Sequence, residues 1–225
     1  SPGIFQDIAF MKYPIGVQTF EKLRTEGFVY VDKTALVYKM VNESSCYFLS
    51  RPRRFGKSLL LSTLKAYFEG KKELFEGLAI ADLEKDWTEY PVIHLDLNAE
   101  RYVTLEELEN LLDTNLRKWE TLYDSTEQNN NSLSLRFAHL IQCIRQRTGK
   151  KVVVLIDEYD KPILQAIGNE ELQDQFRNTL KAFYGVLKSA DADLRFTMLT
   201  GVTKFGKVSV FSDLNNLNDI SMDER

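Results

Sequence analysis

Apolar residues follow two patterns along this chain, short unbroken runs and helical spacings, and the two patterns alternate. Apolar runs bounded by polar residues predict four buried strands, within residues 46–50 (CYFLS), 90–98 (YPVIHLDLN), 151–160 (KVVVLIDEYD) and 194–202 (LRFTMLTGV). Helical spacing predicts helices over residues 19–27, 58–70, 104–122, 133–147 and 170–190, and a further helix that begins after a capping Asp32. The residues after 202 are predicted to form loop. Strands that alternate with helices predict an α/β fold of three layers with a mostly parallel central sheet.

Composition narrows the class of protein. A chain of 225 residues that is 44% hydrophobic can bury the core of one generous α/β domain. The net charge of −4 argues against a dedicated nucleic-acid-binding protein. Two cysteines in apolar surroundings indicate reduced thiols and favour the cytoplasm. No apolar run approaches the roughly 18 residues that a membrane span needs.

A phosphate-binding motif is indicated within "YFLSRPRRFGKSLLLS", where a predicted strand leads through Gly56, Lys57 and Ser58 into a predicted helix. Backbone N–H groups at a helix start bind phosphate, Lys57 would reach the β- and γ-phosphates, and Ser58 would ligate Mg²⁺. The usual first glycine of this Walker A motif is replaced by Arg51, which Pro52 biases toward extended geometry. The alternative interpretation is an ordinary basic turn that caps a helix.

A pair of carboxylates supports the nucleotide interpretation. In "VVVLIDEYD" a buried strand ends in Asp157, which would bind the metal's water shell, and Glu158, which would activate an attacking water as in a Walker B motif. Acidic residues that cap the next helix are the alternative. The two motifs lie 157 − 57 = 100 residues apart, each after a predicted strand, where α/β ligand sites form.

Several long stretches carry a resemblance to a known family: "YPIGVQTFEKLRTEGFVYVDKT", "FLSRPRRFGKSLLLSTLKAYFEGKKELFEGL", "YPVIHLDLN", "VVVLIDEYDKP" and "LTGVTKFGKVSVFSDLNNLNDIS". From Tyr13 onward the chain resembles the AAA-ATPase-like domain of bacterial proteins, which is usually followed by a nuclease-like domain of the PD-(D/E)XK type. That family has arginine in the place of Arg51, so the resemblance makes this residue a family trait. It also implies a P-loop NTPase of the additional-strand type, with strand 194–201 between the phosphate-loop strand and the Asp157 strand.

The resemblance implies a set of site residues around ATP and Mg²⁺. Lys57 and Glu158 are expected to be catalytic, Ser58 and Asp157 to bind the metal, and Thr200 or Thr203 to lie beside the γ-phosphate as a polar sensor. Either threonine could instead simply end a strand. Nucleotide contacts are expected from Arg51, Pro52, Arg53, Arg54, Phe55, Gly56, Lys57 and Ser58, and base contacts from Tyr13, Pro14 and Ile15. Arg53 and Arg54 could instead pair with acidic helices. His94 and His139 lack the spacing of a zinc site and are interpreted as structural.

The sequence thus predicts an Mg²⁺-dependent ATPase domain that switches or drives an attached, nuclease-like effector. Residues 1–12 are interpreted as a leader or added segment and residues 13–225 as the domain, with the C-terminal part of the full protein absent. The main alternative is a nucleotide-binding regulatory or interaction module with negligible turnover. A small-molecule kinase is disfavoured because no arginine-rich lid is evident. This chain alone is expected to bind DNA weakly or not at all and to bind no membrane. Formation of a homo-oligomer is left open as an alternative to a monomer.

Overall fold

The computed structural model describes residues 19–28, 30–50, 56–98, 101–126, 132–202 and 217–220. Its α-helices are α1 (Phe20–Thr25), α2 (Thr34–Glu43), α3 (Lys57–Phe68), α4 (Ala79–Leu83), α5 (Leu105–Leu122), α6 (Leu133–Thr148), α7 (Lys161–Gln165) and α8 (Glu170–Ser189). Short 3₁₀ turns cover Lys72–Phe75 and Asp191–Asp193. The long helices predicted from periodicity are all present, and their ends differ from the prediction by no more than two residues.

The central sheet contains five described strands: β1 (Cys46–Ser50), β2 (Val92–Asp96), β3 (Val152–Asp157), β4 (Leu194–Gly201) and β5 (Asn218–Asp219). Their order is β2-β3-β4-β1-β5, and every described pairing is parallel. Strand β4 therefore lies between β1 and β3, which confirms the predicted additional-strand order. The fold is a three-layer α/β architecture with a parallel central sheet.

Each face of the sheet is covered by its own group of helices. Helices α5, α6 and α8 pack with one hydrophobic cluster, and α1 to α4 pack with the other. Strand β3 contributes to both clusters, because Val154 and Ile156 face one layer while Val153 and Leu155 face the other. This explains why its sequence is continuously apolar rather than alternating.

A buried ion cluster joins two helices of the first layer. Arg136 on α6 donates to Asp113 at 2.6 Å and to Glu120 at 2.7 Å, and both carboxylates lie on α5. The Arg136 side chain is only 10% exposed, so its charge needs these partners. Its hydrogen bond to Asp113 is the main cause that lowers the pKa of that carboxyl below 3.8.

Three local features differ from the sequence prediction. The short helices α4 and α7 were not predicted, and the region after residue 202, predicted as loop, contains strand β5 beside β1. Helix α2 begins at Thr34 with Lys33 as its capping residue, so Asp32 lies one position earlier than expected for a cap. Asp32 accepts hydrogen bonds from the N–H groups of Thr34 at 2.9 Å and Ala79 at 2.6 Å, and so stabilises the starts of both α2 and α4.

Candidate nucleotide-binding site

The candidate site lies where β1, β4 and β3 end. Because the strands are parallel, their carboxyl ends meet at one edge of the sheet, which is where ligands of open α/β sheets bind. The register places Ser50 of β1 opposite Gly201 of β4, and Ile156 of β3 opposite Leu199. Asp157, the next residue of β3, therefore reaches the level of Thr200.

Gly56 forms the entry to helix α3. Its φ of 71° and ψ of 24° are left-handed values that glycine adopts at no steric cost, and the helix begins at the next residue, Lys57. The Gly56 carbonyl accepts the first helical hydrogen bond, from Leu60 at 3.0 Å. The N–H groups at the start of α3 have no partner within the helix and are the kind of donors that bind phosphate.

Lys57 is buried at the centre of the site. Its side chain is 2% exposed, and its ammonium donates to the Gly201 carbonyl at 2.7 Å and lies 3.6 Å from Glu158 Oε1. Burial lowers the pKa of Lys57, while the carboxylates of Glu158, Asp157 and Asp160 act in the opposite direction. The site thus holds a desolvated cation whose charge is supported by surrounding carboxylates.

Asp157 is held by two hydroxyl groups. Ser58 Oγ donates to Asp157 Oδ2 at 3.0 Å, and Thr200 Oγ1 donates to Asp157 Oδ1 at 2.5 Å. A hydroxyl and a carboxylate are oxygen ligands of the type Mg²⁺ prefers, and this ion usually completes its shell with water and phosphate oxygens. Across the described ranges no cluster of three His, Cys, Asp or Glu side chains could hold a metal ion, so any metal here would depend on such additional ligands.

Glu158 has an unusual backbone conformation. It follows β3 directly with a φ of 57°, a left-handed value uncommon for residues other than glycine. Its N–H donates to Thr200 Oγ1 at 3.4 Å, and the residue is 6% exposed. Residues held in sparsely populated conformations concentrate at functional sites, so the left-handed turn marks Glu158 as a candidate.

Comparison with known proteins identifies the family. The family model described as "Predicted AAA-ATPase" matches residues 14–211. The chain belongs to this AAA-ATPase-like family. A curated relative from Azotobacter chroococcum mcd 1, described as an uncharacterized protein in the vnfD 5' region, is 43% identical over 218 residues. The match covers 95% of this chain and 42% of the relative, so the chain spans less than half of that protein.

One solved structure similar to this AAA-ATPase-like chain is the crystal structure of Cdc6p from Pyrobaculum aerophilum. The two share 13% sequence identity with a TM-score of 0.42, and the alignment covers 98% of this chain and 49% of the other. The family assignment therefore depends on the sequence match, which makes the chain a nucleotide-binding, ATPase-like domain. Within the described ranges no helix of this domain combines the length and apolarity needed to cross a bilayer.

The structure brings together six of the residues selected from the sequence of this AAA-ATPase-like domain. Gly56, Lys57, Ser58, Asp157, Glu158 and Thr200 all lie at the carboxyl ends of β1, β3 and β4. The other predicted site residues lie outside the described ranges: Tyr13, Pro14, Ile15, Arg51, Pro52, Arg53, Arg54, Phe55 and Thr203. Their assigned contacts remain predictions.

Sequence reasoning missed two residues of the site. Asp160 is 1% exposed, and both of its carboxylate oxygens accept from the Val202 N–H at 3.2 Å. Gly201 has no room for a side chain, since a Cβ there would lie 2.2 Å from a ring carbon of Tyr159. The second aspartate of "DEYD" was the available signal for Asp160, whereas the need for glycine at 201 follows only from the contact between β4 and the turn after β3.

Proposed function

We propose that this chain is an Mg²⁺-dependent ATP-binding and hydrolysing domain that switches or drives an attached effector. The observation that supports it is the pair of contacts that these elements make at one edge of the sheet: Lys57 lies 3.6 Å from Glu158 Oε1, and Ser58 donates to Asp157 at 3.0 Å. This set combines a phosphate-binding cation, oxygen ligands for a metal and a candidate base. The nuclease-like nature of the effector is a further proposal, based on the family resemblance alone.

Phosphate binding is assigned to the start of helix α3. The N–H groups at this helix start and the positive end of its dipole favour an anion, and Gly56 keeps the approach open. Lys57 would donate to the β- and γ-phosphates, replacing its contact with Glu158. Residues 51–55 would form the rest of the phosphate loop, and Tyr13, Pro14 and Ile15 would contact the base.

Metal binding is assigned to Ser58 and Asp157. When bound there, Mg²⁺ would neutralise charge on the β- and γ-phosphate oxygens. Thr200 keeps the Asp157 carboxylate in a fixed orientation through its 2.5 Å hydrogen bond. Thr200 and Thr203 would also lie near the γ-phosphate, in the sensor position that the resemblance implies.

Glu158 is assigned to the attacking water. Its carboxylate would accept a proton from the water that attacks the γ-phosphorus. The bond from this phosphorus to the β–γ bridging oxygen would break, so that ADP leaves and the γ-phosphoryl group is released as inorganic phosphate. The ion-pair distance of 3.6 Å to Lys57 means that nucleotide phosphates would compete with Glu158 for the ammonium. ATP binding would thereby change the environment of the base.

The same contact favours the second candidate function, a nucleotide-binding regulatory module with negligible turnover. A carboxylate that stays in contact with a buried ammonium is held in an ion pair and is less available to accept the proton of an attacking water. If Lys57 keeps this contact after nucleotide binds, the domain would hold ATP without hydrolysing it. The two functions differ in the state of Glu158 and can be separated by turnover.

The experiment combines nucleotide binding with phosphate release for two site variants and two matched surface variants. We expect Lys57→Ala to abolish binding of a fluorescent ATP analogue, whereas Lys181→Ala, on the exposed face of α8, should bind normally. Glu158→Gln should keep binding but lose about 10²- to 10⁴-fold in turnover, and Glu171→Gln, also exposed, should not. All four variants are measured with Mg²⁺ and with chelator.

The outcomes distinguish the two candidate functions, and one set of outcomes refutes both. Equal phosphate release by the wild type and Glu158→Gln would contradict hydrolysis through this carboxylate. Mg²⁺-dependent binding without phosphate release by the wild type would favour the regulatory module. Absence of binding, or binding by Lys57→Ala as strong as by the wild type, would refute both.

A further inference from the structure

One peptide group at the end of β4 lies between a buried carboxylate and the phosphate-loop lysine. The N–H of the Gly201–Val202 peptide donates to both oxygens of Asp160 at 3.2 Å. The carbonyl of the same peptide accepts from Lys57 at 2.7 Å. Asp160 and Lys57 thus bind the two ends of a single planar unit.

Burial makes this arrangement informative. Asp160 is 1% exposed, and a carboxylate removed from water is costly unless hydrogen bonds and nearby positive charge compensate it. A leucine or alanine at this position would avoid that cost if the residue only filled space. The Asp160 charge also acts on Lys57 directly, in the direction that favours the ammonium.

We propose that Asp160 is a positioning residue of the nucleotide site: it orients the Gly201–Val202 peptide so that the carbonyl faces Lys57. In a trans peptide the N–H and C=O point in opposite directions, so fixing the N–H on one side fixes the carbonyl on the other. Hydrogen bonds on both ends of one peptide also polarise each other. The inference rests on the proposed nucleotide-binding function of Lys57.

Neighbouring contacts hold the supporting elements in place. The Tyr159 N–H donates to the Thr200 carbonyl at 2.9 Å, and the Tyr159 carbonyl accepts from the Tyr184 hydroxyl at 3.1 Å. The Tyr159 ring packs against Gly201 so closely that no Cβ fits between them. The turn after β3 and the end of β4 therefore form one rigid support, and Asp160 is the charged contact within it.

The consequence for nucleotide binding is preorganisation. An ammonium has three donors, and the Gly201 carbonyl uses one of them while fixing the direction of the other two. A lysine held in place before the ligand arrives loses less conformational freedom on binding phosphate. Removing Asp160 should therefore weaken nucleotide affinity more than it slows the chemical step.

The test uses three variants. Asp160→Ala removes the acceptor, and Asp160→Asn keeps one carbonyl oxygen for the Val202 N–H. Asp174→Ala, the control, removes an exposed carboxylate on α8, away from the turn that holds Asp160. We expect the Kd for Mg·ATP to rise about tenfold or more in Asp160→Ala, because this variant loses one charge-assisted hydrogen bond. The kcat should change less. Asp160→Asn should recover most of this affinity, and Asp174→Ala should show no loss.

A second measurement does not depend on nucleotide. Amide hydrogen exchange at Val202 in the ligand-free protein should accelerate about tenfold or more in Asp160→Ala and much less in Asp160→Asn. If Asp160→Ala does not fold, the same measurements are made on Asp160→Ser. The serine side chain is one atom shorter than that of aspartate, so its hydroxyl does not reach the Val202 N–H.

The outcomes separate this inference from the proposed function. Unchanged affinity and unchanged Val202 exchange in Asp160→Ala would overturn the positioning role while leaving nucleotide binding intact. Equal losses of affinity in the Asn and Ala variants would overturn it as well. If the wild type binds no nucleotide, the proposed function fails and the positioning of Lys57 for phosphate fails with it. Exchange at Val202 would then report only whether Asp160 holds the peptide.

Discussion

Replacing Thr200 with valine tests how strongly the site depends on one hydroxyl. Thr200 is fully buried; its Oγ1 donates to Asp157 at 2.5 Å and accepts from the Glu158 N–H at 3.4 Å. Valine has nearly the same shape but leaves both partners without this oxygen. A hydrogen bond to a charged group contributes about 1.5–3 kcal/mol, and the long second bond adds little, so we expect a loss of about 2–3 kcal/mol.

A matched variant makes this magnitude testable. Thr63 on α3 is also fully buried, but its hydroxyl donates at 2.7 Å to the Leu59 carbonyl, which is neutral and lies one turn earlier in the same helix. Thr63→Val should therefore cost less than about 1 kcal/mol. In a domain of this size each kcal/mol moves Tm by about 2–4 °C, so Thr200→Val should lower Tm by about 4–12 °C and Thr63→Val by clearly less.

The assay combines thermal or urea unfolding with the Mg²⁺ dependence of ATP turnover. Groups that orient a metal ligand typically change metal affinity by about 10- to 100-fold, so the Mg²⁺ concentration for half-maximal turnover should rise about tenfold or more in Thr200→Val. If Thr200→Val destabilises no more than Thr63→Val, the hydrogen bond to Asp157 contributes nothing special to stability. An unchanged Mg²⁺ dependence would refute the assignment of Asp157 to the metal or of Thr200 to its orientation.

Two further predictions concern the packing at Gly201 and the ion cluster at Arg136. Gly201→Ala should lower the free energy of unfolding by about 1–3 kcal/mol or more, because the new Cβ would lie 2.2 Å and 2.4 Å from Tyr159 ring carbons. Gly185→Ala, inside α8 and with open space around the new Cβ, should raise it by about 0.5–1 kcal/mol. Urea unfolding of both checks this, and equal effects would contradict the packing argument. Since the folded pKa of Asp113 lies below 3.8, its contribution to stability is present above that value and is lost as the pH falls through the folded pKa. Arg136→Met should therefore lose less stability than the wild type between pH 7 and about pH 3, and parallel acid dependences would contradict this.

Sequence reasoning located the parts of the site that have strong local signals. The strand before Asp157 was visible because burial on both faces requires an unbroken apolar run, and Gly56 was visible because it precedes Lys57 and a periodic helix. The strand order also agreed with the expectation from family resemblance. The strand before Asp157 and the helix start at Gly56 each depend on residues that are close together in the chain, whereas the strand order was expected only from the resemblance.

Other features were invisible because they arise between distant segments. The hydrogen bond from Lys57 to Gly201 and the contact of Asp160 with Val202 depend on how β4 meets the turn after β3. Strand β5 was missed because two polar residues carry no hydrophobic pattern, and only pairing with β1 makes them a strand. The hydrogen bond from the Ala79 N–H to Asp32 likewise joins residues that lie 47 positions apart, and it links the start of α4 to the start of α2.

The sheet order also fixes when the site can form during synthesis. Strand β1 and Lys57 are made early, but the neighbour β4 and the carbonyl that receives the lysine come 144 residues later. At typical translation rates of about 5–20 residues per second, this separation amounts to roughly 7–30 s. During that interval β1 has neither of its described strand partners, and its apolar residues are open to chaperones or to other nascent chains. The candidate site therefore cannot form before β4 has been synthesised, because β4 carries the carbonyl that receives Lys57.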